Sequence, residues 1–440
     1  MNKRVIAALM LAATLGGCGI FKGKGGPKTA VLGERIPVLT SENDATIDPS
    51  LADIPVVLPE PEPNAAWAQP GGNAAKSMGH PALGASLSRA WNASIPGTKP
   101  TARLAAGPVV ADGRLYVIDT GAVVHAYNAK TGARVWQTPI GKGAGKDRKV
   151  LFGGGVAFDS GRIYATDGRG DVAALDAATG KQLWTVREAV PLRGAPTIGG
   201  GNVYVLTQDN QILALNPDDG TTKWTDSATL EAAGVFGVAA PAVAQGTVVA
   251  GFSSGELSAL RYENGRVVWQ DQLGRTSIST SVSSISDIDA SPVIDQGRVY
   301  AIGQGGRMVA MDLITGQRLW ELTVGGISTP WLVGDWLFVV TDEAKVICIA
   351  RNTGKIRWIT ELTRWKDKKN HNNPIGWYGP VLAGGRLILV NSDGRMVEVA
   401  AADGKIGRIT KVGKAFTLPP IVADNMLYLL DGKGTITAWR

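Results

Sequence analysis

An all-β chain, folded as an eight-bladed β-propeller of four-stranded antiparallel blades, is what this sequence predicts, on three observations. The stretch Ala174 to Trp184, of the form Ala-x-Asp-x-x-Thr-Gly-x-x-x-Trp, recurs along the chain. Apolar strands open at matching places before the copies, near a proline in all but one. A segment around Trp91 supplies the outer strand that the last unit lacks, so the N-terminal strand closes the last blade.

The copies run from Ala126 to Trp136, Ala214 to Trp224, Ala259 to Trp269, Ala310 to Trp320 and Cys348 to Trp358. Glu398 to Arg408 is a degenerate copy that keeps the glycine and loses the tryptophan. The repeat glycines, from Gly132 to Gly404, stand 38 to 51 residues apart, a period that signals an array of supersecondary units. Each copy reads as strand, tight turn, strand, with the glycine supplying the φ > 0 position that the turn needs. The tryptophan four residues later is large and flat, and burying it is worth roughly 1.5–3 kcal/mol. At one phase of a repeat, Trp91, Trp136, Trp184, Trp224, Trp269, Trp320 and Trp358 read as wedges between neighbouring sheets.

Strand starts near Pro108, Gly155, Pro196, Pro241, Pro292, Pro330, Pro380 and Pro420 give eight units of four short strands, the count for propeller blades. The eighth ends at Arg440 after its third strand, and Leu87 to Ile95 matches the outer strand Gly132 to Ile140. Closing the ring this way leaves no long open end to aggregate. No segment shows sustained helical periodicity.

Ahead of the propeller, assigned to residues 87–440, stand two other segments. Residues 1–17 read as a signal peptide: Lys3 and Arg4, an apolar run from Val5 to Leu15, then Leu15-Gly16-Gly17-Cys18. The run is shorter than the about 20 residues that span a bilayer. Leu-Gly-Gly-Cys has the form of a bacterial lipobox, so Cys18 is the expected lipid attachment site, and Gly19 in place of an acidic residue favours the outer membrane. Residues 18–86, with Pro55, Pro59, Pro61 and Pro63 and few aromatics, read as a lipid-anchored flexible or extended tether, of which Ile54 to Leu58 could lie along the folded body. The other cysteine, Cys348, sits where other copies have alanine and reads as a small buried hydrophobe.

Candidate chemistry is sparse. His80, His125 and His371 have no ligand spacing to one another, so neither a catalytic nor a metal site is predicted. Gly141 to Asp147 fails the phosphate-loop pattern and reads as a basic inter-blade loop with Lys142, Lys146, Arg148 and Lys149. A second basic loop runs from Arg364 to Asn370, facing acidic partners or lipid head groups, or merely solvent. The net charge of +7 includes Lys3 and Arg4, and an exported protein meets little nucleic acid, so none is expected as partner. Two inter-blade connections depart from the repeat: Val190-Pro-Leu192-Arg193-Gly194 and Ser286-Asp287-Ile-Asp289. Aliphatic side chains, an arginine and carboxylates make a protein-binding patch. Alternatively Arg193 pairs with a local carboxylate, or Asp287 and Asp289 hold a turn.

On the lipobox, the eight units and these two connections, the chain resembles the BamB family, propeller lipoproteins of the machinery that inserts β-barrels into the bacterial outer membrane. Its repeat also looks like that of the pyrroloquinoline-quinone-type propellers, where the tryptophan docks adjacent blades. The resemblance covers the chain from Leu87 onward, and its discriminating matches are Leu192 to Gly194 and Ser286 to Asp289. It implies that Val190, Leu192 and Arg193 contact the periplasmic domains of BamA, with Asp287 and Asp289 beside them. It further implies a non-enzymatic scaffold without cofactor, lipid-anchored on the periplasmic face of the outer membrane, serving unfolded barrel proteins. Pro191 and the long proline-rich tether depart from the family pattern. The rival readings are a quinone-dependent dehydrogenase and an envelope lipoprotein with another partner. Such dehydrogenases commonly carry adjacent cysteines, which this chain lacks.

Overall fold

Eight four-stranded antiparallel sheets follow one another in the computed structural model, which describes residues 45–141, 152–188, 190–230, 239–273, 287–304 and 306–440. Blades 1 to 7 occupy residues 109–139, 154–187, 197–227, 242–272, 293–322, 331–361 and 377–411. Blade 8 takes three strands from the C terminus, Ile421–Ala423, Met426–Leu430 and Thr435–Trp439. Its fourth, Arg89–Ser94, comes from the N-terminal side and places Trp91 opposite Ala438. The predicted closure is therefore present. Signal residues 1–17, Cys18 and the basic loop from Lys142 to Lys149 lie outside the described residues.

Strands alternate in direction, so the connections from one blade to the next share one end of the ring with the turns between second and third strands. The remaining turns lie at the other end. Inner strands such as Arg114–Ile118 are buried almost throughout, whereas fourth strands such as Arg134–Pro139 expose one face. Alternation of buried and exposed residues thus belongs to the outer strands.

The repeat tryptophans dock each blade on the next. Trp91 of blade 8 lies on Gly132 of blade 1, Trp136 on Gly180 of blade 2, and so on to Trp358 on Gly404 of blade 7. At each of these glycines a Cβ would stand only 2.5–2.8 Å from a tryptophan ring atom, and φ is +71° to +76°. Glycine is required twice over, for close approach and for handedness. Each indole N–H donates to a carbonyl of the following blade at 2.8–3.1 Å, from Trp91 to Ala129 O through Trp358 to Ala401 O. Tyr116, Tyr164, Tyr204, Tyr300 and Tyr428 stack obliquely on these tryptophans at 5.7–6.1 Å. The Tyr428 hydroxyl even donates to the carbonyl of Ala129 that Trp91 uses.

Arg408, the missing eighth tryptophan, now has a physical reason. A tryptophan there would need the glycine turn between the third and fourth strands of blade 8. That turn does not exist, because those strands come from opposite ends of the chain, held where Ser88 and Arg440 exchange backbone hydrogen bonds of 2.8 and 3.0 Å.

The tether expectation needs correction for residues 45–86. Ile47 bridges Ile356 on the outer strand of blade 6, and Arg357 donates to Ile54 O. From Asn64 the chain then crosses the axis and bonds all eight blades in ring order, seven through their innermost strands and blade 7 through the turn after its innermost strand. Asn64 donates to Val422 O of blade 8, Trp67 exchanges two bonds with Val110 of blade 1, and Ala68 O accepts from Phe158 of blade 2. Gln69 exchanges two bonds of 3.0 Å with Ile198 of blade 3, while Ala74 O and Ala75 O accept from Val243 and Ile294 of blades 4 and 5. Gly79 O accepts from the Trp331 indole of blade 6. His80 Nε2 and Pro81 O accept from the backbone of Gly385 and Gly384 of blade 7. The segment is extended, as proline and glycine dictate, but it is a cap on the axis rather than a free linker. With one or two bonds per blade it has no periodic pattern to read.

Candidate partner-binding surface

Opposite the cap, the connections between blades frame the mouth of an axial cavity of about 220 Å³. The connection from blade 2 to blade 3 lies along its own blade: Arg193 N donates to Leu206 O and Gln208 N to Pro191 O, both at 2.8 Å. Leu192 is fully buried among Val203, Val205 and Leu215 between blades 2 and 3. Pro191 is exposed and Val190 half-buried.

From blade 4 to blade 5, Ile288 is the anchor. It is fully buried against Gly251, where a side chain would overlap it, and its N–H donates to Phe252 O at 3.1 Å. Burying the residue between them directs Asp287 and Asp289 together toward Arg193. The guanidinium Nη2 donates to Asp287 Oδ1 at 2.9 Å and reaches Asp289 Oδ1 at 3.4 Å. All three side chains are at least nine-tenths buried. Burial and the neighbouring Asp287 push the Asp289 carboxyl well above the usual range, against the opposing pull of Arg193.

The structure thus brings the two predicted connections together and buries most of the side chains singled out on them. Leu192, Arg193, Asp287 and Asp289 do not themselves offer a contact surface in this conformation. The aliphatic side chain packs back into the blade interface, and the arginine is drawn to two carboxylates, the alternative its charge allowed. Together they form a strut that ties the connection from blade 2 to blade 3 to the one from blade 4 to blade 5.

Inside the cavity, Lys76 of the cap is buried, and its ammonium donates to Thr197 Oγ1 at 3.0 Å. Trp67 and Trp331 stack at 5.9 Å in the wall. Burial pushes the Lys76 amine from its ordinary 10.5 down to about 7. Between these values the unfolded chain holds a proton that the folded one has released, so stability rises with pH across that window. Below about 7 both states carry the proton and the contribution is lost. Lys76→Met is expected to remove this slope. It should raise the melting temperature most at about pH 6 and least at about pH 10. Parallel melting profiles for the two proteins would refute it.

Each of the three histidines has a near neighbour. His80 Nδ1 meets Pro59 O at 2.7 Å, His125 Nε2 meets Asp119 Oδ2 at 2.8 Å, and His371 lies beside Trp365. Among the described residues no group of three His, Cys, Asp or Glu side chains could hold a metal ion. Burial pushes the Cys348 thiol up, as suits a packed hydrophobe.

A family profile described as outer membrane protein assembly factor BamB matches residues 80–147 and 144–360. The assembly factor BamB of Escherichia coli K12 is 28% identical over 370 residues, covering 75% of this chain and 82% of its own. That of Yersinia pestis is 26% identical over 331 residues, covering 74% and 81%. Among solved structures, BamB from Moraxella catarrhalis superposes with a TM-score of 0.69 at 21% identity, covering 81% of this chain and all of its own. A quinohemoprotein alcohol dehydrogenase from Comamonas testosteroni shares the fold, with a TM-score of 0.65 at 16% identity over 85% and 80% of the two chains. The dehydrogenase likeness is one of fold alone. The profile spans more than half the chain, and the full-length relatives agree with it: this chain belongs to the outer membrane protein assembly factor BamB family.

Proposed function

We propose that this chain is a non-enzymatic scaffold of outer-membrane protein assembly. It is lipid-anchored at Cys18 on the periplasmic face of the outer membrane and binds the periplasmic domains of BamA. The family match supports the assembly role. The observation that carries the binding mode is the buried bridge from Arg193 to Asp287 and Asp289, which joins the two connections singled out in the sequence. A rigid ring holding two loops in fixed relation loses little entropy on docking, so binding energy goes into affinity. The contact itself falls to what those connections expose, Val190 and Pro191 first, with the strut behind them. Unfolded barrel strands are the clients such a scaffold would pass to the insertion site.

The test is affinity capture of BamA from detergent-solubilised envelopes, comparing wild type with Val190→Asp. This half-buried position tolerates a carboxylate better than the strut does. Wild-type capture that falls at least tenfold in the variant, with the circular dichroism spectrum unchanged, is the expected result. Equal capture by both proteins discards the loop, and no capture by either discards the partner. For the dehydrogenase reading, mixing the protein with pyrroloquinoline quinone and Ca²⁺ is expected to give no dye reduction.

A further inference from the structure

The connection from blade 6 to blade 7 carries its own two-stranded ribbon, Trp365–Asp367 paired with Asn372–Pro374. Its base is fixed, since the Trp377 indole donates to Thr363 O at 3.0 Å and Ile375 N to Arg364 O at 2.8 Å. Its tip is fixed too, because Asp367 Oδ1 accepts from the backbone of Lys369 and Asn370. On this frame Arg364, Lys366, Lys368 and Lys369 are exposed.

The cationic surface continues beyond the ribbon. Lys366 reaches Asp393 Oδ1 of blade 7 at 2.9 Å, and Arg395 reaches Oδ2 of the same carboxylate at 3.3 Å. Lys411 donates to the Asp393 carbonyl. On blade 8, Lys414 and Lys433 are exposed around Asp431, which is buried and occupied by their backbone N–H groups. The carboxylates of this patch are therefore Asp367, which closes a turn, Asp393, shared by two cations, and buried Asp431. Exposed Glu361 stands at its blade 6 margin, as do exposed Asp342 and half-buried Glu343 in the turn between that blade's second and third strands, where Glu343 holds Lys345 at 2.8 Å.

We propose that this end of blades 6 to 8 is a membrane-contact surface that takes the phosphate head groups of anionic phospholipids. Six of the eight cations are lysines, a residue that protein–protein interfaces avoid and that anionic lipid surfaces attract as flexible point charges. Trp365 stands half-buried among them, with the Arg364 guanidinium 5.4 Å from its ring centre. Among the described residues its indole N–H has no hydrogen-bond acceptor. An apolar ring with a free polar edge, set among lysines, suits the boundary between head groups and acyl chains. This inference is independent of the BamA reading.

The experiment is co-sedimentation with sucrose-loaded vesicles, using the chain from residue 18 onward with Cys18→Ser so that no lipid anchor contributes. Binding to phosphatidylethanolamine–phosphatidylglycerol vesicles should exceed binding to phosphatidylcholine at least tenfold at about 0.1 M salt and fall steeply at about 0.5 M. Combined Lys366→Glu, Lys368→Glu and Lys369→Glu should reduce it at least tenfold, and Trp365→Ala severalfold, with melting unchanged. Lys181→Glu, on an exposed turn at the capped end, should leave it intact. Equal sedimentation with both lipids, no sedimentation with either, or indifference to the ribbon lysines overturns the proposal. Any of these beside intact BamA capture overturns it alone.

Discussion

Trp91→Ala is expected to cost about 4 kcal/mol, in the middle of the range for removing a buried aromatic side chain, and to free the N-terminal strand from blade 8. Trp91 is 9% exposed, packs against Gly132 and Tyr428, and donates to Ala129 O at 2.9 Å. The other docking tryptophans sit in hairpins whose partner strand precedes them directly in the chain. Trp91 sits in a strand whose partner is Thr435–Trp439, at the far end of the sequence. Losing its packing therefore weakens both the blade 8 to blade 1 contact and the one pairing that closes the ring. Trp184→Ala, at a half-buried position inside a continuous hairpin, is the control and should cost roughly half as much. Urea unfolding gives the two costs. Limited proteolysis between residues 87 and 108 should nick the Trp91 variant selectively. Equal costs and equal resistance would mean that the closure has no special weight.

Arg193→Glu is expected to be the most damaging single change at the candidate surface. It sets a third carboxylate beside Asp287 and Asp289 in a site where all three side chains are at least nine-tenths buried. Removing one partner of a buried pair costs about 3–5 kcal/mol, and reversing its charge adds repulsion. BamA capture should vanish with it. To separate the strut from general instability, Arg193→Met with Asp287→Asn and Asp289→Asn removes the charges together, which is often close to neutral for folding. This triple variant should melt near the wild type and still capture BamA poorly, because the two connections are no longer tied. Wild-type capture by the triple variant would show that the bridge contributes only stability.

The fold was legible because its determinants are local and repeated. A glycine at a left-handed turn and a tryptophan four residues on need nothing but their neighbours to be recognised, and seven blade contacts follow the same rule. Even the closure was readable, since Leu87 to Ile95 carries the outer-strand pattern out of place. The tyrosines behind the tryptophans were visible, at Tyr116 and Tyr300 for example, but nothing in one strand says which ring its phenol meets.

What only the tertiary structure decided is non-local. Arg193 and Asp287 are 94 positions apart, and whether the arginine faces a partner or a carboxylate depends on Ile288 filling the gap beside Gly251. The cap on the axis is the same kind of case: residues 64–81 satisfy one or two groups on each of eight separate blades, so their pattern is written in the ring rather than in themselves. The sequence alone determined the propeller, its blade count and its seam, because each rests on periodic short-range chemistry. Which side chains the open end presents, and that the proline-rich segment is part of the body, were decided by packing between residues far apart in the chain.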